Sequence, residues 1–510
     1  MASQHPDHSL PPPWSKEPMI VGEDEVIEAY WAYAKYGIEE VMWDAEGKDV
    51  DVNVVRKLFT NYPDFFKENI LGRDIFLTLR LPNPSIEGVE RKTFLETLES
   101  IPRHNDVAKA FYGDSGGPAI FEVILPFTTS YIELLRIKES YRKAVITPLR
   151  ECIDCHGTTL GDWIGNVEPE DIEVIPLIED MDTFLKIDTL LTNYIEAASP
   201  SYIRVFLARS DPAMNYGFIS AVLLAKYGLW LCRRVSERSG IPIYPIIGAG
   251  ALPFRGHNSP HNVDSFLDEY RGIYTVTIQS AFRYDYPVEV VSNAVRQFNS
   301  RLPNREAMEV DGEVLRRILT KLVSAFQVSV ESAAQAINYV ASFVPSRRAR
   351  KQHVGLFGYA RMVGSKRLPR AIPFTAALYS LGMPPEFIGA RALDFLDEEE
   401  YDFVINTHVK LREDLEFAAR KVSLENISLI KDHEELIRKI FGPEFLETFL
   451  PKYLDDLRTV EERFGIKVGP RVLSDRLYLN LVENIIISLF AGLDPTPEIL
   501  RAAALRNSLG

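Results

Sequence analysis

IPIYPIIGAGALPFRGHNSPHN, residues Ile241–Asn262, is an apolar run that stops abruptly in a glycine-rich loop. The run Ile241–Ile247 reads as a strand buried on both faces. The loop after it carries glycines at 248, 250 and 256, one arginine (Arg255) and two histidines (His257 and His261). A strand ending this way brings backbone N–H groups and a fixed guanidinium to one point, which suits a multiply charged anion such as phosphate. An ordinary glycine–proline surface turn is the other reading of the same residues.

The same texture recurs on both sides. Short apolar runs ending in polar residues appear at Glu39–Asp44, Ile75–Leu81, Ala119–Thr129, Ile172–Asp180, Tyr202–Asp211, Tyr274–Ala281 and His353–Arg361. Stretches of helical period, such as Tyr131–Leu149 and Gly217–Gly240, lie between them. Apolar strands separated by helices predict parallel strands covered on both faces. With the opening stretch the runs make eight, the number a closed β/α barrel requires. The expected fold class is therefore α/β, a TIM-type (β/α)8 barrel with additional helices. An open doubly wound sheet is the alternative.

Glu23–Gly37 predicts an amphipathic helix, with acids in its first turn and Gly37 as its stop. From Arg370 onward strand signals vanish. Phe445–Gly465 keeps one apolar stripe, with Pro451 predicting a kink or break and Gly465 a C-cap. The expected organisation is an N-terminal tail (1–22), a barrel catalytic core (23–369) and a C-terminal all-helical region packed on the barrel (370–510).

The 510 residues are 46% hydrophobic and 25% charged, enough for a large core. A net charge of −15 argues against nucleic acid or an anionic membrane surface as partner. No apolar run approaches the roughly 20 residues of a membrane span. MASQHPDHSLPPPW has neither the basic nor the apolar part of a secretory signal, so a cytoplasmic location is expected. Cys152-Ile-Asp-Cys155-His156 has the letters of a haem attachment motif. It lacks an axial partner, and a zinc site would need two more ligands. Incidental loop cysteines are the simpler reading.

In a β/α barrel the chemistry sits at the C-terminal ends of the strands. Glu179 and Asp211 lie at two successive strand ends. Carboxylates one strand apart can share a hard divalent cation, with substrate and water completing its shell. Asp180 and Asp182 stand nearby, and N-capping of a following helix is the competing explanation for such acids. Arg80, Arg255, Arg283 and Arg361 also fall at strand ends, with Arg370 just beyond. Guanidinium grips carboxylate or phosphate bidentately and keeps its charge when desolvated. Five arginines aimed at one metal pair, in so acidic a chain, imply a small substrate with several negative charges.

Together the motifs resemble the phosphoenolpyruvate carboxylase family in its short, archaeal-type form. The matching pieces are SQHPD (Ser3–Asp7), MWDAEGKDVD (Met42–Asp51), EVILPFTTS (Glu122–Ser130) and EVIPLIED (Glu173–Asp180). ARSDPAMNYG (Ala208–Gly217), PFRGHNSP (Pro253–Pro260), TIQSAFRYDYP (Thr277–Pro287), RAIPF (Arg370–Phe374) and the terminal RNSLG follow in order. The resemblance implies carboxylation of phosphoenolpyruvate by bicarbonate to oxaloacetate and phosphate, with Mg²⁺ or Mn²⁺ on Glu179 and Asp211. It implies His5 as base, and Arg255, Arg361 and Arg370 as catalytic, substrate-gripping arginines. Arg80, and Arg283 by its strand-end position, are expected to contact substrate as well. Asn507, with Arg255, is the implied site of an aspartate or malate inhibitor, and a homotetramer is the implied assembly. For His5 to act, the tail must fold over the barrel mouth.

Two departures stand out. The longer relatives carry a lysine where this chain has Met214, and His-Gly-Arg where it has Gly248-Ala249-Gly250. Arg209, His257 or His261 is expected to supply the missing charge. Rival readings are another metal-dependent phosphoenolpyruvate/pyruvate lyase or aldolase using Glu179 and Asp211, or a barrel that only senses metabolites.

Overall fold

The computed structural model describes residues 1–45, 51–113, 116–349, 361–363 and 366–510, with backbone only at 89 and 361–363. Seven strands form one parallel sheet in sequence order. They are β1 (Glu40–Asp44), β2 (Phe76–Arg80), β3 (Glu122–Leu125), β4 (Glu173–Ile178), β5 (Ile203–Ala208), β6 (Ile243–Gly248) and β7 (Thr275–Val276). Parallel neighbours require crossovers. Helices such as Arg91–Tyr112, Ile187–Ala198 and Phe218–Ser239 supply them. The strand order never reverses, unlike that of a doubly wound sheet.

The strands are apolar because both faces are buried, and their residues sort with period two. Met42, Ile124, Ile175, Leu177, Phe206, Ala208 and Ile246 form one buried cluster together with Met1. Their neighbours Val41, Trp43, Val123, Val174, Ile178, Val205, Leu207 and Ile247 belong instead to the large core shared with the helices. Below the inner cluster lies a polar layer of the same parity. Arg204 donates to Glu122 Oε2 at 2.7 Å and to Glu40 Oε2 at 2.8 Å.

The first residues form no loose tail. Ala2 makes parallel bridges to both Val41 and Ile278. Ala2 N donates to Glu40 O at 2.6 Å, and Met42 N to Ala2 O at 2.9 Å. On the other side Ser3 N donates to Ile278 O at 3.1 Å, and Ile278 N to Met1 O at 2.8 Å. The expectation of an eighth parallel strand at His353–Arg361 is corrected in part. Residues 353–360 lie outside the described residues. Arg361–Val363 (β8) pairs antiparallel with Lys366–Leu368 (β9), a hairpin outside the parallel sheet.

The helix Phe218–Ser239 starts after Gly217 and stops at Gly240, both with positive φ. The helix Tyr131–Tyr141 is shorter than expected and passes into a π turn, Arg142–Ile146. Beyond Arg370 the described elements are all helical. Pro451 lies two residues after a π turn, Phe445–Phe449, inside a helical run that continues to Phe464; the π turn is the local irregularity beside the proline. Among the described residues no helix is long and apolar enough to cross a membrane.

Candidate active site

Strand parity decides which side chains reach the sheet's C-terminal edge. Asp44 follows Met42, Arg80 follows Thr78, Glu179 follows Leu177 and Gly248 follows Ile246, each two residues beyond an inward position. Asp44 and Arg80 are partners in the β1–β2 register and form a buried ion pair, NH1 to Oδ2 at 3.2 Å. At this edge opens a cavity of about 270 Å³. His5, Arg80, Glu179, Asp211, Arg255 and Arg370 all line it. Residues far apart in sequence, singled out from strand ends and motifs, thus meet around one space.

Glu179 is buried, and its Oε2 accepts from Phe127 N at 2.8 Å, with Phe127 in the left-handed region at φ 51°. The capping role expected of strand-end acids falls to Asp180, whose Oδ1 accepts from Thr183 N at 3.0 Å. Asp211 lies in the first turn of the helix Ser210–Tyr216. Two carboxylates from adjacent strands therefore face one cavity. Among the described residues no group of three or more His, Cys, Asp or Glu forms a complete metal cage. The donor set fits a hard cation such as Mg²⁺, which keeps waters and takes oxygens from substrate.

Arg255 is almost wholly buried. Its Nε donates to Ser210 Oγ at 3.2 Å, NH1 to Asp7 Oδ2 at 3.1 Å and to Gly510 O at 2.5 Å, and NH2 to Gln279 Oε1 at 2.6 Å. Burial pulls its guanidinium below the ordinary arginine range, while Asp7 and then Asp211 hold it up. The loop closes by Gly250 N to Arg255 O at 2.8 Å and Asn258 N to Gly250 O at 2.9 Å. This geometry explains the departure at 248–250. A Cβ on Gly248 would lie 2.6 Å from the Phe206 ring, and one on Gly250 would lie 2.8 Å from Arg255 Cζ. A side chain at either position would require Phe206 or Arg255 to move.

Arg370 precedes the helix Ala371–Ser380, and its NH1 is buried with no hydrogen-bond partner among the described residues. A buried cationic donor without a protein partner, beside a cavity, suits an anionic ligand. Arg347, missed from sequence, also lines the cavity. Its Nε donates to His8 O at 3.1 Å and its NH2 to Ser9 O at 3.2 Å. It follows the long helix Gly312–Ala341 and no strand, so a search of strand ends passes over it. Its tandem with Arg348 does not single it out either, since Arg233-Arg234 and Arg316-Arg317 are tandems as well. The side chain of Arg361 lies outside the described residues.

His5 reaches the cavity because the segment is pinned on both sides. Its Nδ1 lies 3.0 Å from Ser3 Oγ, and Ser280 N donates to its carbonyl at 3.3 Å. Arg283 does not line the cavity, contrary to expectation. It is buried behind it, where NH2 donates to Ser3 O at 2.8 Å and Glu28 Oε1 at 2.9 Å, and so holds the N-terminal segment. Met214 is fully buried in the large core and does not face the cavity either.

Of the three residues expected to supply the missing charge, only Arg209 lines this cavity. Its guanidinium braces the glycine loop, donating to Tyr270 Oη at 3.0 Å, Phe254 O at 3.2 Å and Phe218 O at 3.3 Å. His257 and His261 line a second cavity of about 580 Å³. Asn507 lines that one too, with Lys421, Arg471 and Arg506. The Cys152/Cys155 pair is exposed and joins neither cavity.

Comparison with known proteins gives this geometry its context. The family model described as phosphoenolpyruvate carboxylase matches residues 1–510. A phosphoenolpyruvate carboxylase of Metallosphaera sedula is 46% identical over 492 residues, covering 96% of this chain and 94% of the relative. One from Caldivirga maquilingensis is 42% identical over 519 aligned positions, covering 100% and 99%. One from Methanospirillum hungatei is 47% identical over 447 residues, covering 88% and 90%.

Proposed function

The chain belongs to the phosphoenolpyruvate carboxylase family, and from that premise we propose that its 270 Å³ cavity joins phosphoenolpyruvate to bicarbonate, giving oxaloacetate and inorganic phosphate. The observation that carries the reading is the convergence of two carboxylates, one histidine and several arginines on that single space. Neither a metabolite sensor nor an aldolase calls for this set together with a histidine held on an N-terminal strap.

Phosphoenolpyruvate carries close to three negative charges, and arginine is the residue that meets them. We assign Arg370, Arg347 and Arg80 to its phosphate and carboxylate, with Arg361 as a fourth contact. Arg255 closes the loop side. A bicarbonate oxygen attacks phosphorus, the P–O bond to the enol breaks, and carboxyphosphate and the enolate of pyruvate result. Glu179 and Asp211 would hold a divalent cation, Mg²⁺ or Mn²⁺, which supplies positive charge where negative charge develops on oxygen. His5 takes the proton of carboxyphosphate: Nδ1 lies 3.0 Å from Ser3 Oγ, and in the tautomer whose Nδ1–H donates to that oxygen Nε2 offers its lone pair. Carboxyphosphate splits to CO₂ and phosphate, and the enolate carbon attacks CO₂. Val344, Pro345, Ile372, Pro373 and Leu509 wall the same cavity and keep out the water that would protonate the enolate to pyruvate.

The barrel itself is part of the proposal. We read Met1–Ser3, paired with β1 on one side and with Ile278 on the other, as the eighth stave that closes the sheet. We place an anionic effector such as aspartate or malate in the second cavity, against Asn507, Arg471 and Arg506. His257 lines that cavity and Arg255 lines the first, so the loop between them is a wall common to both.

The test is oxaloacetate formation from phosphoenolpyruvate, bicarbonate and Mg²⁺, with Asp211→Asn as the inactive control. Phosphate release that ignores bicarbonate would overturn the carboxylase reading in favour of another lyase.

A further inference from the structure

Asp7 takes no part in the steps above, yet it ties together several of the segments around the cavity. It lies two residues after His5 and is fully buried. Its Oδ2 accepts from Arg255 NH1 at 3.1 Å, and its Oδ1 from Ala281 N at 2.7 Å and Ser280 Oγ at 3.1 Å. Its backbone N donates to Ser280 Oγ at 2.8 Å, and its carbonyl accepts from Leu509 N at 2.7 Å. One residue thus joins the strap that carries the base, the loop that carries Arg255, the turn after β7 and the last residues of the chain.

A structural cross-link alone does not require a charge here. The bonds from Ala281 N and Ser280 Oγ need only a neutral acceptor, and burying an ion is costly unless it is paired. The charge makes sense opposite Arg255. A buried counter-ion holds the guanidinium in one rotamer before substrate arrives, so no reorganisation is needed when charge moves in the transition state. Gln279 Oε1 and Ser210 Oγ fix the other nitrogens of the same group.

We propose that Asp7 is a positioning residue for the carboxylation: through its contact with Arg255, and through the short link to His5, it sets loop arginine and base in one fixed relation. The proposal rests on the carboxylase reading above. In the full chain, Asp7→Asn keeps the acceptor to Ala281 N and removes the charge facing Arg255. Its kcat for oxaloacetate is expected to fall roughly ten- to a hundredfold, as for a misaligned reacting pair, while KM for phosphoenolpyruvate stays within about threefold. The share of substrate released as pyruvate is expected to rise, because the enolate waits longer for CO₂. Ser280→Ala, which removes both bonds between Ser280 Oγ and Asp7 but leaves the charge facing Arg255, is expected to give the same signature in smaller measure. A wild-type chain that makes no oxaloacetate sinks the carboxylase reading itself. With an active wild type, the positioning role is overturned if Asp7→Asn keeps kcat and product ratio, or loses kcat only in step with its folded fraction. Should Asp7→Asn fail to fold, an unchanged kcat and product ratio in Ser280→Ala overturn it.

Discussion

Gly250 and Arg255 compete for one volume: a Cβ on Gly250 would sit 2.8 Å from Arg255 Cζ and 3.0 Å from both NH1 and NH2. Arg255 cannot yield freely, because Ser210, Asp7, Gln279 and Gly510 hold its three nitrogens. Gly250→Ala is therefore expected to lower kcat/KM by roughly a hundredfold, the cost of misplacing one positioned group. Steady-state kinetics alongside a thermal melt check it. Wild-type kinetics in this variant would mean that the guanidinium position is not needed for turnover.

Arg370 carries a buried NH1 with no partner among the described residues. Removing it loses little that the folded protein uses. Arg370→Gln is expected to change the unfolding free energy by less than about 1 kcal/mol. KM for phosphoenolpyruvate should rise at least about tenfold, the loss of one charge-assisted contact. A large stability loss with KM unchanged would assign Arg370 to the scaffold instead.

Met214→Lys would restore the residue type of the longer relatives but not its surroundings. The side chain at 214 is fully buried among apolar neighbours. An unpaired ammonium there is expected to destabilise the fold by more than about 3 kcal/mol. No gain in turnover should follow, and chemical denaturation with an oxaloacetate assay measures both.

Two buried groups give the N-terminal strap opposite pH responses. Burial pushes His8 down to about 3, against the pull of its bond to Pro18 O. The neutral ring sits with Nδ1 2.8 Å from Ser280 Oγ and Nε2 2.8 Å from Pro18 O. Its contribution is present above the unfolded histidine value near 6.5 and is lost as pH falls from there toward 3. His8→Asn should therefore flatten the acid side of the unfolding-midpoint profile.

Asp285 works the other way. Burial raises its carboxyl to about 7, although Leu10 N and Ser9 N donate to it. Its contribution is full below the unfolded value near 4 and is lost as pH rises through 7. Asp285→Asn should gain midpoint relative to wild type between pH 5 and pH 8. A constant difference across that range would show that Asp285 is ionised throughout.

The sequence by itself determined the strand-and-crossover order. Seven of the eight apolar runs are parallel strands in the expected order, because a strand covered on both faces reads as a near-continuous apolar run. It also pointed to residues that line the candidate cavity, since Glu179 and the loop of Arg255 follow directly from strand ends whose parity is fixed by the pleat. Tertiary structure alone decided which charges serve the cavity and which serve the frame. Arg283 and Arg209 are arginines like Arg255 in the sequence, yet the first is spent on Ser3 and Glu28 and the second on Tyr270 Oη and the carbonyls of Phe254 and Phe218. Arg347 sits after a helix and reaches the cavity only because the N-terminal strap passes beneath it. The pairing of Ala2 with residues 39 and 276 positions further on was likewise invisible. Three residues carry no periodicity, and their place depends on backbone hydrogen bonds that local propensity does not encode.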